Sequence, residues 1–146
     1  MAVEPTPQRE VMGRFATGVT VVNTRVGEIA SAMTPNAILS LSLDPPLILI
    51  SVQKGSQMHG LLRRSDCFAA NILRASQQHL SRRFAKQGPK DMTALETTEA
   101  STGAPILVDA LAFADCRIRQ VIAGGDHDIF IGEMLAGQAS EGDPLL

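Results

Sequence analysis

Tryptophan and tyrosine are absent, and five phenylalanines are the whole aromatic stock of 146 residues. Any flat ligand must therefore lie against a phenylalanine, a histidine or aliphatic surface. Excess charge is missing too: the formal net charge is -2. That argues against a nucleic-acid binder that works by neutralising phosphates. The two cysteines, Cys67 and Cys116, fit no metal spacing. A pair of buried thiols in a reducing cytoplasm is expected of them. No apolar run approaches the roughly 20 residues of a membrane helix. The opening MAVEPTPQRE lacks the apolar core of a secretory signal, so a cytoplasmic location is expected.

Familiar catalytic signatures are also missing. No GxGxxG follows a strand, and there is neither a GxxxxGK[ST] loop nor a nucleophile elbow. His59, His79 and His127 are not spaced as metal ligands, and no carboxylate pair is placed for acid/base work. A chain of this kind can still be an enzyme if a cofactor carries the chemistry and the protein positions it.

What is present is one globular domain, 45% apolar and dominated by strand patterns. Thr6 and Pro7 suit the cap and first position of a helix that carries Val11, Met12 and Phe15 to Gly18. Met12 and Phe15 are expected to pack. Val19 to Thr24 is a β-branched strand, Arg25-Val26-Gly27 a hairpin turn, and Glu28 to Met33 the returning strand. Two further strands flank Asp44-Pro45-Pro46, whose prolines must lie outside central ladders. Ser56 caps a short helix through Leu61 and Leu62, and Cys67 to Leu73 is a strand. Ser76 caps a helix from Gln77 to Lys86 with Leu80 and Phe84 inward. Residues 87–103 read as a loop with at most a short strand or turn, and Ile106 to Val108 as a short strand. Ala110 to Val121 is a long strand, bulged where its alternation drifts near Cys116. Gly124-Gly125-Asp126 turns the chain into a strand from His127 to Met134. Strands that do not alternate with crossover helices imply a mostly antiparallel barrel or sandwich.

The stretch from Ala30 to Ser56 holds the polar groups of interest. Thr34, Asn36, Ser40 and Ser42 form one cluster, and Lys54, Gly55 and Ser56 another. Pairing of the strands around Asp44-Pro45-Pro46 is expected to bring them together. The first cluster suits a planar polar ligand. The second, with a helix N-terminus, suits an anionic tail. The plainer alternative is that these side chains satisfy turn and edge backbone.

Several runs resemble the flavin reductase family. They are Phe15-Ala-Thr-Gly-Val-Thr-Val-Val22, Met33-Thr-Pro-Asn-Ala37, Ser40-Leu-Ser-Leu-Asp-Pro-Pro46, Phe68-Ala-Ala-Asn-Ile72, Gln78-His-Leu-Ser81 with Phe84-Ala85, and Gly125-Asp-His-Asp-Ile-Phe-Ile-Gly-Glu133. The family comprises reductase components of two-component flavin monooxygenases. The resemblance implies a mostly β, Greek-key FMN-binding split barrel with short flanking helices. It implies a homodimer and hydride transfer from NADH or NADPH to FMN or FAD, for a partner monooxygenase. Thr34, Pro35, Asn36 and Ala37 would line the isoalloxazine edge, with Ser40 and Ser51 as neighbours. Lys54, Ser56 and Arg83 would meet the phosphate. His127 would orient the incoming nicotinamide. The family usually has Thr-Ala-Asn-Ser where this chain has Thr34-Pro-Asn-Ala37, and Thr where it has Met58. These changes remove hydrogen-bonding side chains and point to release of reduced flavin. The family's last strand has no counterpart after Leu146, so a single domain over residues 1–146 without it is expected. A non-catalytic flavin- or haem-binding split barrel and a related split-barrel oxidase are the alternatives.

Overall fold

The structure is a computed structural model that describes residues 5–35, 37–86, 92 and 95–146. Its elements in order are α1 (Pro5–Met12), β1 (Thr20–Val26), β2 (Ile29–Met33), β3 (Ile38–Leu43), β4 (Pro46–Gln53), α2 (Gln57–Ser65) and β5 (Cys67–Ile72). A 3-10 turn (Ala75–Gln77) follows, then α3 (Gln78–Ala85), β6 (Thr97–Thr98), β7 (Ile106–Leu107), β8 (Ala112–Gly124) and β9 (His127–Ala139). Seven strands form one antiparallel sheet in the order β2-β1-β5-β8-β9-β4-β3, and β6 pairs only with β7.

That order forces the sheet to curl. β2 and β3 are its two edges, six strand spacings apart, which in a flat sheet is about 29 Å. Yet residues 34–37 alone join them, and the step from Met33 to Ile38 spans at most about 18 Å. The sheet therefore closes on itself, and Met33 and Ile38 both pack against one core of Val22, Ile50, Val52, Phe68, Cys116 and Phe130. This is the split-barrel arrangement expected from sequence. A second core, on the outer face, holds Val21, Leu73, Leu80 and Phe84 and docks α3.

Several element boundaries differ from expectation for identifiable reasons. α1 stops at Met12, before Gly18. Gly13 follows, donating its N–H to Arg9, and a Cβ there would sit 2.9 Å from the Arg9 carbonyl oxygen. Val11, Met12 and Phe15 are exposed rather than packed. The helix also begins at Pro5, so Thr6 and Pro7 fall inside its first turn. β1 runs on through Arg25 and Val26, and the turn centres on Gly27 with φ of +58°. Ser76 does not cap α3: the side chain of Gln77 accepts from the Arg74 N–H at 2.8 Å, winding a 3-10 turn ahead of the helix. Short α-helices number three among the described residues. β9 reaches Ala139, beyond Met134, because β8 pairs with it along its whole length. The expected bulge is present between Asp115 and Cys116, with another between Ile118 and Gln120. Asp44-Pro45 is a cis peptide in the turn, and Pro46 opens β4 against Leu43.

Candidate active site

One end of the barrel opens into a cleft of about 150 Å³. The floor comes from β4, where Ser51 and Gln53 share a face by the two-residue period of a strand. The end of β2 supplies Ser31 and Met33, with Thr34 just beyond it. The N-terminus of α2 supplies Ser56, Gln57 and Met58, and the C-terminal end of α3 supplies Phe84, Ala85 and then Lys86. His127 closes the rim from the start of β9, opposite Gln53.

Each of these groups is fixed by local chemistry. Thr34 ties the cleft to α3 twice: its N–H donates to the Phe84 carbonyl at 3.0 Å, and its hydroxyl to the Ser81 carbonyl at 2.8 Å. The hydroxyl oxygen remains an acceptor only. Ser56 caps α2, its Oγ accepting from the His59 N–H at 3.2 Å and donating to the Gln53 carbonyl at 2.8 Å. The first intrahelical bond runs from Gly60 N to Ser56 O at 3.3 Å, so the Gln57 and Met58 N–H groups precede the ladder. A phosphate finds donors and the positive helix end there. Lys54, in the β4–α2 loop, donates its N–H to the Asp126 carbonyl at 2.9 Å, which holds this loop against the turn before His127.

Two carboxylates stand behind these groups. The Asp126 carboxylate lies 2.8 Å from His127 Nδ1. The hydrogen bond and charge of His127 hold the Asp126 carboxyl below its usual range. The Asp128 side chain is only 10% exposed and meets His59 Nε2 at 2.6 Å, with Lys54 Nζ and Arg63 Nη1 each at 3.9 Å. The His59 bond, then the nearby cations, lower the Asp128 carboxyl as well, against its own desolvation.

The structure thus brings together four of the residues expected from sequence: Thr34, Ser51, Ser56 and His127. Lys54 adjoins them through the β4–α2 loop. Arg83 is half-buried on α3, its guanidinium carbon 5.4 Å from the centre of the Phe84 ring. Pro35 and Ala37 lie in the connection beyond the cleft wall, where Ala37 accepts from Ser51 N–H at 3.3 Å. Asn36 falls outside the described residues. Ser40 and Ser42 do not join the cleft. The antiparallel register sets Ile38 opposite Ile50 and Ser40 opposite Ile48, so β3 carries both serines away from Ser51 and Ser56 toward the proline turn. Sequence reasoning missed Ser31, a small polar residue within β2, and Gln57, a polar residue opening α2, and it read Phe84 as a packing residue alone. It also missed Asp128, an acidic residue just before the apolar run Ile129-Phe130-Ile131 of β9.

The family model for the flavin reductase like domain matches residues 12–146, which includes every described wall of this cleft. The chain belongs to the flavin reductase family. It is 34% identical, over 99% of its length and 75% of the relative's, to the reductase subunit HsaB of a flavin-dependent monooxygenase from Rhodococcus jostii. Among solved structures, the flavin reductase PheA2 matches with a TM-score of 0.88 at 37% identity, covering 97% of this chain and 92% of that one. The NADH:FAD oxidoreductase SgcE6 of Streptomyces globisporus, in complex with NAD and FAD fragments, matches with a TM-score of 0.85 at 36% identity, covering 95% and 86%. These likenesses extend over the whole seven-stranded sheet, so the family's barrel and this chain's barrel are the same construction.

Proposed function

We infer that this chain is an NAD(P)H-dependent flavin reductase that supplies reduced flavin to a partner monooxygenase. The observation that carries the reading is the cleft itself. Small hydroxyl groups, a capped helix N-terminus and a histidine converge on it from β2, β4, α2 and β9. Flavin fits that donor set: Thr34 and Ser51 suit the polar edge of a flat ring, while Lys54 and the Gln57 N–H, at the helix end that Ser56 caps, suit its phosphate. Pro35, Ala37 and Asn36 lie next along the chain and complete the ring edge in this reading; Arg83 adds charge near the phosphate from α3. A bound flavin supplies the hydride acceptor. The protein's part is to hold that ring and the nicotinamide face to face, which needs orientation rather than a nucleophile. His127 orients the nicotinamide or its phosphates, with Asp126 fixing its ring through Nδ1. Both FMN and FAD present the same phosphate to this corner.

The working unit is a homodimer. β3 is an edge strand whose Leu39, Leu41 and Leu43 are 53%, 43% and 90% exposed, an arrangement that monomers avoid. The fold's location is the cytoplasm, in keeping with two buried free thiols. Among the described residues no helix is long and apolar enough to cross a membrane.

Anaerobic mixing of protein and flavin with NADH or NADPH tests the function. Catalytic bleaching of oxidised flavin is expected with at least one nucleotide. Bound flavin that neither nucleotide reduces would establish a non-catalytic flavin module instead. Sedimentation at micromolar concentration should give twice the monomer mass, and a persistent monomer would remove the dimer.

A further inference from the structure

The corner that faces the flavin phosphate is close to neutral before any phosphate arrives. Lys54 brings a permanent positive charge to it from the β4–α2 loop, Asp126 and Asp128 bring two negative ones, and Arg63 reaches the Asp128 carboxylate from the last turn of α2. Asp128 is the unusual member. It lies on β9 one residue beyond His127, and the positions opposite it on the two adjacent strands, Val52 and Ala123, are apolar. Its side chain is 10% exposed, and all three of its partners come from the β4–α2 loop or α2: His59 at 2.6 Å, Lys54 and Arg63 at 3.9 Å. His59 and Arg63 sit four apart on one face of α2, so both reach the same carboxylate. His59 is also held edge-on to Phe130, with ring centroids 5.8 Å apart.

A structural ion pair would need only one partner. Here a single carboxylate draws on two cations from opposite ends of α2, Lys54 just before its N-terminus and Arg63 in its last turn, and Lys54 is 44% exposed and so able to swing to another anion. We propose that Asp128 is the counter-anion that sets flavin affinity, holding Lys54 partly neutralised so that the phosphate-bearing tail of a flavin binds weakly and reduced flavin leaves. The inference rests on the flavin site described under Proposed function. It adds the residue that makes the flavin a diffusing substrate rather than a resident group. Asp128 acts through Lys54, so it is a positioning and affinity-setting residue rather than a catalytic one.

Asp128→Asn separates charge from shape. An Asn oxygen can still accept from His59, while its attraction for Lys54 and Arg63 is gone. Asp128→Thr, which suits a strand and is uncharged, is the second variant. Dissociation constants for FMN and riboflavin, which differ by the phosphate, are measured by titration on wild type, both variants, Lys54→Met and the Lys54→Met/Asp128→Asn double variant. Both Asp128 variants should tighten FMN roughly three- to tenfold and leave riboflavin within about twofold. The gain should shrink at high salt and largely vanish in the double variant. A merely structural role would weaken both flavins together. An FMN-to-riboflavin ratio that is unchanged or lowered overturns the proposal, as does failure of both variants to fold, which would make Asp128 a structural ion. If Lys54→Met weakens FMN while the Asp128 variants do not tighten it, only this inference fails. If wild type binds both flavins equally and Lys54→Met changes neither, the phosphate site fails as well.

Discussion

Gly132 lies in β9 opposite Ile48 and Ile118, in the wall of the barrel. A Cβ built there would stand 2.7 Å and 2.8 Å from Phe68 Cε1 and Cζ, and 2.8 Å from the Cys116 Cβ. Phe68 and Cys116 are both 0% exposed, so neither can move into solvent. Ordinary contact between such carbons is near 3.5–4.0 Å, so Gly132→Ala must displace a fully buried ring by about an ångström. Overpacking of that kind costs about 1–3 kcal/mol. For a chain of this length the melting temperature should fall by roughly 3–10 °C. Phe68→Leu alone should destabilise through a cavity, but in the double variant it makes room for the methyl. The two costs should therefore add to less than their sum. Thermal melting followed by circular dichroism gives all four values. A Gly132→Ala protein melting within a degree of wild type, or strict additivity with Phe68→Leu, would refute this account of the barrel wall.

Further outcomes follow from the same geometry. Ser56→Ala removes the α2 cap and should cost about 1 kcal/mol while weakening FMN more than riboflavin; denaturant melts and flavin titrations check both, and an unchanged FMN affinity would take Ser56 out of the site. His127→Ala should lower kcat/KM for the pyridine nucleotide by roughly tenfold or more and leave flavin affinity within a few-fold; steady-state kinetics decides, and lost flavin binding would make His127 a cofactor ligand. Burial, then the neighbouring Asp115, pushes the Cys116 thiol up to about 12, so a thiol reagent near neutral pH should leave it unlabelled until the protein unfolds; rapid labelling of the native protein would contradict its place in the core. The Asp128 carboxyl titrates below the usual value of 3.8, first because of the His59 hydrogen bond. Its stabilisation is therefore full above the unfolded carboxyl's value and lost as pH falls through the folded one. The stability gap between wild type and Asp128→Asn should close on acidification below about pH 4, and a gap that stays constant would count against the pairing.

Local chemistry made much of this fold legible. The drift of apolar alternation near Cys116 signalled a bulge, and a bulge is there because Asp115 turns inward. Its carboxylate accepts from the Ser101 and Thr102 N–H groups, which no pattern along β8 reveals. Ser56 was readable as a cap, and Leu80 and Phe84 as a buried pair, because both signals lie within one turn of helix. The start of α3 was misread because the Gln77 side chain turns back to the Arg74 N–H and closes a 3-10 turn, so α3 begins at Gln78 with no side-chain cap for a sequence to signal. The cleft was only half legible. Thr34, Ser51, Ser56 and His127 converge, but Ser40 is carried off by the β3–β4 register, a quantity set by the proline turn rather than by composition. The pairing of His59 with Asp128 spans 69 positions and depends on where the fold sets α2 relative to the start of β9.

The most direct test of the central claim is anaerobic stopped-flow mixing of the protein and oxidised flavin with NADH, and separately with NADPH, for wild type and His127→Ala. Wild type should bleach the flavin over many turnovers with at least one nucleotide, and His127→Ala should need a much higher nucleotide concentration for the same rate. Flavin that binds wild type yet stays oxidised with both nucleotides would contradict the account.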